Sequence, residues 1–130
     1  MSLRKVLLVD DDDAVNFLNR RKLKEFDPNC EVIEAIDGRE ALTYLEGTEE
    51  CPDVILLDLN MPGLDGFGFL AKYQEMGKCV NQSKVFVFIV TSSLRNADKV
   101  KAVTSGLVNG YFEKPLSENH IKIIGRLFQS

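Results

Sequence analysis

The sequence predicts an α/β fold: a doubly wound (βα)5 sandwich with a five-stranded parallel sheet between two layers of helices. Two observations carry this. First, KVLLV (5–9), DVILLDL (53–59) and KVFVFIV (84–90) are apolar nearly throughout rather than alternating, as strands are when helices cover both faces. Second, amphipathic stretches separate the apolar runs, and right-handed crossovers between parallel strands then wind the sheet on both sides. A length of 130 residues suits one domain with a single core.

In chain order, KVLLV is the first strand and residues 13–26 the first helix, with Ala14, Val15, Leu18, Leu23 and Phe26 as its expected apolar side. Pro28 and Asn29 close that helix. CEVIEA (30–35) is the second strand, Asp37-Gly38 a turn, and REALTYLEG a short helix stopped by Gly47. After the strand at 53–59, MPGLDG has turn composition, and Phe67, Leu70 and Ala71 recur at helical spacing with Phe69, Tyr73 and Met76 beside them. GKCVNQSK (77–84) is expected to be a polar loop before the strand at 84–90. Val100, Val103 and Leu107 mark the next helix, and GYF (110–112) is a short fifth strand. Ser117 can cap a last helix carrying Ile121, Ile124 and Phe128.

Composition removes several function classes. Net charge is -4, from 16 basic and 20 acidic side chains, with no basic block to attract nucleic acid. No apolar run reaches membrane-spanning length, and the N-terminal run is too short for a signal peptide. Cys30, Cys51 and Cys79 are odd in number and lack CxxC spacing, and with one histidine a zinc site is not expected. Three reduced, unpaired thiols in a cytoplasmic protein are the expectation.

Ligands of such a sheet bind at the carboxyl ends of its strands. Asp10-Asp11 follow the first strand, Asp58 ends ILLD, Thr91 ends FIVT, and Lys114 ends YFEK before Pro115. Clustered carboxylates do not stay ionised cheaply unless a cation sits among them. A small all-oxygen set with room for water suits Mg2+, which commonly serves phosphate. A carboxylate can itself accept a phosphoryl group. Phosphoryl transfer then needs positioning and charge neutralisation, which an ammonium and a hydroxyl supply.

These residues, VDD at 9–11, LLDLNMPGLDGF at 56–67, VTS at 90–92 and GYFEKP at 110–115, make the sequence resemble the receiver domain of two-component response regulators over essentially its whole length. The resemblance implies a flavodoxin-like topology with strand order 2-1-3-4-5, residues 1–130 being a single receiver domain without a separate output domain. It implies Asp58 as phosphoacceptor. It implies Mg2+ held by Asp10, Asp11, Asp58 and the backbone carbonyl of Asn60. Thr91 and Lys114 would stabilise the phosphoryl group, Thr91 and Tyr111 would form the switch, and Pro62, Gly66 and Pro115 would shape turns. The implied partners are a sensor histidine kinase or phosphotransfer protein and a downstream protein target, with homodimerisation on phosphorylation possible. No nucleic acid or membrane partner and no enzyme activity on another substrate are implied. The residue before Pro115 must be extended, and in the family that peptide bond is cis.

Four consecutive aspartates, Asp10 to Asp13, then divide into two jobs. Asp10 and Asp11 serve the metal, while Asp12 and Asp13 open the next helix, where the N-cap and the helix dipole favour negative charge. A register shifted by one residue would put Asp12 in the site instead. Other readings compete. Asp11, Asp13 and Val15 satisfy the DxDx[TV] pattern of haloacid-dehalogenase-like phosphatases, although that reading leaves Asp58 without a role. A flavin binder of the same topology would set these aspartates against the flavin's phosphate. Tyr111 is equally an ordinary core tyrosine on residues alone, and His120 is expected to be a solvated helix residue. Gly63, Gly66 and Gly68 lack the spacing of a phosphate-cradling loop, and Phe69 stands where a calcium loop would need glutamate. Ser92 and Ser93 keep the approach to Thr91 small; Ser92 stands where the family usually has alanine or glycine.

Overall fold

The structure is a computed structural model that describes residues 3–82, 85–92 and 95–128. Its order is β1 (Lys5–Val9), α1 (Asp13–Phe26), β2 (Glu31–Ala35), α2 (Gly38–Gly47), β3 (Val54–Leu57), α3 (Gly66–Met76), α4 (Lys78–Gln82), β4 (Phe86–Thr91), α5 (Asn96–Ser105), β5 (Val108–Glu113) and α6 (Glu118–Arg126). All strand pairs are parallel, in the order β2-β1-β3-β4-β5. The predicted doubly wound, flavodoxin-like sandwich is therefore the observed fold.

The solid apolar runs are the central strands. Every residue of β1 and β3 is buried, whereas the edge strand β5 alternates half-buried and exposed. Successive side chains leave a strand on opposite faces. Val6 and Leu8 accordingly join Leu23, Leu56, Phe88, Ile121 and Ile124 in one core layer, and Leu7 and Val9 join Leu45, Ile55, Leu57, Phe69 and Tyr73 in the other. The first layer lies under α1 and α6, the second under α2, α3 and α4. Truncating a side chain as enclosed as Leu57 to alanine costs about 2–5 kcal/mol, the lost transfer energy plus a cavity.

The structure departs from several expectations. α1 turns Asn16, Asn19 and Leu23 inward, while Leu18 and Phe26 are exposed. Asn16 is inward because its side-chain amide donates to Asp10 O (2.9 Å) and Ala35 O (3.4 Å) at the sheet edge. Phe26 instead lays its ring over Gly125 of α6, where a Cβ would stand 2.5 Å from Phe26 Cζ. In α5, Ala102 is the buried residue, and Val100 and Val103 are 66% and 71% exposed. Alanine lets α5 lie close to Ile89 of β4, which rotates the valines outward. Gly47 is the last helical residue rather than a left-handed stop; that conformation belongs to Gly77 and Gly106, which end α3 and α5. The GKCVNQSK segment contains a helix, α4, and β5 is six residues long rather than three.

The cysteine reading is corrected as well. Cys51 and Cys79 form a disulfide across 28 residues of sequence, and Cys30 alone is a free thiol, buried and pushed up to about 11 chiefly by desolvation. Folding brings together the α2–β3 connection and α4, a proximity that spacing in the chain does not reveal. Of the described helices, none is long and apolar enough to cross a membrane.

Candidate functional site

Parallel register places the polar strand ends at one edge. Val9 pairs with Leu57, so Asp10 and Asp58 emerge side by side, and Asp58 N–H donates to Val9 O at 2.9 Å. Thr91 pairs with Glu113, and Lys114 N–H donates to Thr91 O at 2.9 Å. Asp10, Asp58 and Thr91 are each buried, whereas Asp11 is exposed. One carboxylate oxygen from each of Asp10, Asp11 and Asp58 lies within 4.8 Å of the others. The structure thus brings together the three aspartates named from sequence.

Local hydrogen bonds explain how four adjacent aspartates are accommodated. Asp10 Oδ1 accepts the Asp12 N–H at 2.9 Å, turning the chain at the strand end. Asp12 then caps α1, accepting the N–H groups of Ala14 and Val15. Asp13 stands exposed in the first turn, where the helix dipole favours a negative charge. The unshifted register is the observed one, with Asp12 as cap. The carboxylates grouped with Asp11 are Asp10 and Asp58, and Asp13 is not in that group, which leaves the phosphatase-like DxDxV reading without support.

Lys114 neutralises this cluster in part. Its Nζ lies 2.6 Å from Asp10 Oδ2 and 3.5 Å from Asp58 Oδ2. Burial alone would lower the Lys114 pKa, but its contacts with Asp10 and Asp58 outweigh that and raise it. Burial pushes the Asp58 carboxyl above its ordinary value; Lys114 opposes this and Asp10 adds to it. Two buried carboxylates and a third nearby therefore carry more negative charge than one ammonium offsets. Oxygen donors only, with Asp11 open to solvent, fit a hard divalent cation of the Mg2+ type better than a soft metal.

The remaining site residues frame the cluster. Asn60 is exposed, its N–H 3.4 Å from Asp58 Oδ1 and its side-chain amide 3.4 Å from Thr91 Oγ1. Pro62 is exposed in the following turn, and Gly63 takes φ +75 there, a conformation glycine adopts without penalty. Gly66 is buried against the loop: a Cβ would stand 2.7 Å from Asp58 O and 2.8 Å from Leu59 Cα. The Lys114-Pro115 bond is cis. Tyr111 lies opposite Ile89 on β5, 38% exposed, with Lys99 Nζ 5.5 Å from its ring centre. It faces outward beside α5 and is not among the clustered groups. Ser92 is exposed beside Thr91, and Ser93 lies outside the described residues. His120 is half-buried rather than solvated, stacked on Phe112 at 4.3 Å, and its Nδ1 accepts the Ser117 N–H.

Sequence reasoning missed Asn16. It is 1% exposed and donates to the Asp10 carbonyl, while its Oδ1 has no hydrogen-bond partner among the described residues. The signal was present in the spacing of Asn16, Asn19 and Leu23, which share one helix face.

The family model for the response regulator receiver domain matches residues 6–124. The chain is 30% identical over 119 residues to the sensor histidine kinase CheAY of Helicobacter pylori, covering 92% of this chain and 14% of that protein. It is 32% identical over 120 residues to the alkaline phosphatase synthesis transcriptional regulatory protein PhoP of Bacillus subtilis, covering 91% of this chain and 45% of that one. The chain therefore spans less than half the length of either relative. Among solved structures, a two component response regulator from Cytophaga hutchinsonii superposes with a TM-score of 0.84 at 31% identity, covering 95% of both chains. The chemotaxis protein CheY4 of Vibrio cholerae gives 0.79 at 26% identity, covering 95% of this chain and 96% of that one.

Proposed function

The chain belongs to the response regulator receiver domain family of two-component signalling, and from that premise we propose that it is a phosphoacceptor switch with Asp58 as the acceptor. The observation that carries this is the placement of Asp58: a buried carboxylate at a strand end, grouped with Asp10 and Asp11 and 3.5 Å from Lys114 Nζ. An Asp58 oxygen attacks the phosphorus of a phosphohistidine on a sensor kinase or phosphotransfer protein. The P–N bond breaks, and the histidine departs with the electron pair.

Asp10, Asp11, Asp58 and the Asn60 carbonyl would hold Mg2+. When bound, the ion screens the negative charge that builds up as phosphate approaches carboxylate. Lys114 supplies a fixed positive charge, and Thr91 offers a hydroxyl hydrogen to a phosphoryl oxygen. Phosphorylation draws Thr91 toward the site, Tyr111 fills the space left, and the surface of α5, β5 and α6 changes for a protein partner. On this reading the domain works in the cytoplasm and acts on no substrate beyond its own aspartyl phosphate. Association of two phosphorylated copies is one form the output can take.

The test is to incubate the chain with Mg2+ and acetyl phosphate and read its intact mass, with Asp58→Asn in parallel. One added phosphoryl group, absent in the variant and absent with chelator, is expected. An adduct that persists in Asp58→Asn overturns the assignment.

A further inference from the structure

Away from the carboxylate cluster, the connection between α2 and β3 is held by side chains of two elements, α4 and β1. Lys78 at the start of α4 donates from Nζ to the carbonyls of Glu46 and Thr48 at the end of α2. Lys5 donates from Nζ to Glu50 O at 2.9 Å. Cys51, half-buried against the second core layer, is bonded to Cys79 of α4, which is fully enclosed. This region lies at the amino ends of the strands, where Asp53 N–H donates to Lys5 O, the edge opposite the aspartates.

We propose that Cys51 and Cys79 form a reversible thiol–disulfide clamp that sets whether α4 is docked on the α2–β3 connection. A helix of five residues has almost no stability of its own and depends on what anchors it. With the bond open, α4 is left to the Lys78 hydrogen bonds and the apolar packing of Cys79 and Val80, which hold it less firmly than a covalent anchor and let it leave the connection. The two cysteines are unequally placed: Cys51, on the connecting loop, is the more open to an attacking thiolate, and Cys79 is the buried leaving group. Cytoplasmic disulfides, where they occur, are usually transient or redox-sensing, so reversibility also rests on the proposed location.

The chemistry balances with a dithiol as reductant and a small disulfide as oxidant. In opening, a thiolate of the dithiol attacks Cys51 Sγ, the Sγ–Sγ bond breaks, and Cys79 leaves as a thiolate that takes up a proton. The second thiolate of the reductant attacks the mixed disulfide, releasing Cys51 as a thiolate that is likewise protonated and leaving the reductant oxidised. Closing is the reverse exchange with oxidised glutathione, which accepts two electrons as the two thiol protons are released.

The experiment uses the full chain in oxidised glutathione and in dithiothreitol. Thiols are counted by alkylation under denaturing conditions, after removal of reductant, and backbone amide exchange is followed across the chain. The oxidised chain is expected to label at Cys30 alone and the reduced chain at Cys30, Cys51 and Cys79. Exchange at residues 78–82 should rise on the order of tenfold or more on reduction while the central strands stay protected, since local openings are separable from global unfolding. The double variant Cys51→Ser, Cys79→Ser should exchange like the reduced chain in both buffers. Labelling of three thiols in oxidised glutathione overturns the proposal. So does exchange at 78–82 that ignores the redox state, or reduction that unfolds the whole chain, either of which marks a static staple. None of these readouts involves Asp58, so failure of the phosphoacceptor reading would be seen separately.

Discussion

Lys114 is paired with Asp10 more closely than with Asp58: its Nζ is 2.6 Å from the former and 3.5 Å from the latter. Asp58 is left buried with the weaker contact, which is why desolvation prevails and its carboxyl sits above its ordinary value. A group held this way costs the fold stability in exchange for a poised charge, as is common at functional sites.

Removing that charge should stabilise the protein without metal. Below the ordinary carboxyl value of 3.8, Asp58 is protonated in folded and unfolded chains alike. As pH rises past that value the unfolded chain ionises first, so stability falls until the raised folded value is passed and the deficit then stays constant. The raised Lys114 value acts oppositely: its contribution is present through neutral pH and is lost only above 10.5. In chelator, Asp58→Asn should therefore unfold at higher temperature than the parent at pH 7 and converge with it near pH 3. Each kcal/mol corresponds to about 3–5 °C in a domain of this size. Thermal midpoints between pH 3 and 7 decide it; a lower midpoint for the variant at pH 7 would contradict the crowding described.

The neighbouring aspartates should separate into a functional and a structural residue. Asp12→Ala removes the cap that Ala14 and Val15 N–H donate to and should cost about 1 kcal/mol of stability, with acetyl phosphate labelling retained in the folded fraction. Asp11 is exposed, so Asp11→Ala should leave metal-free stability nearly unchanged. Its labelling should slow at least about tenfold, since even outer-sphere partners of a metal are worth about 10–100-fold. Urea titration and labelling rates on both variants test the division; slow labelling in Asp12→Ala with normal labelling in Asp11→Ala would reverse it.

The difference between the elements that sequence reveals and those it hides has a physical basis. Strands buried on both faces announce themselves as solid apolar runs, so β1, β3 and β4 and the polar residues that end them were legible. Helix rotation was not. Periodicity assigned Leu18, Phe26, Val100 and Val103 inward, but Asn16 was claimed by the Asp10 and Ala35 carbonyls and Ala102 by close approach to Ile89, and each turned its helix. The Cys51–Cys79 bond and α4 were illegible because both arise from contacts between distant segments. The strand-end carboxylates pointed to a cation and to phosphate, but the individual roles proposed for acceptor, metal and switch residues rest on the family resemblance, because side-chain patterning does not encode an ion or a phosphoryl group.

Gly66 should prove less replaceable than Gly47. A Cβ at Gly66 would meet backbone atoms of Asp58 and Leu59 at 2.7 and 2.8 Å, and backbone does not yield cheaply. Gly66→Ala should cost about 1–3 kcal/mol and, by shifting the Asp58 loop, slow labelling as well. Nothing lies within 4 Å of a Cβ at Gly47, which is helical, so Gly47→Ala should add about 0.5–1 kcal/mol. Denaturant midpoints for the pair measure the contrast, and equal effects would mean that the close packing of α3 on the loop does not constrain the site.

Thr91 should couple the state of Asp58 to Tyr111. The threonine is fully buried, with its hydroxyl 3.4 Å from the Asn60 amide, while the tyrosine is half-exposed beside Lys99. On the proposed mechanism, movement of Thr91 toward a phosphoryl oxygen vacates space that the Tyr111 ring enters. Phosphorylation should then shift the Tyr111 ring resonances and reduce their exposure to a soluble paramagnetic probe. Thr91→Ser keeps the hydroxyl and should preserve the shift. Thr91→Ala should still take up phosphate on Asp58, more slowly, yet leave the ring resonances largely where they were. Identical ring shifts in Thr91→Ala and the parent would show that Tyr111 moves without the threonine and would remove Thr91 from the switch.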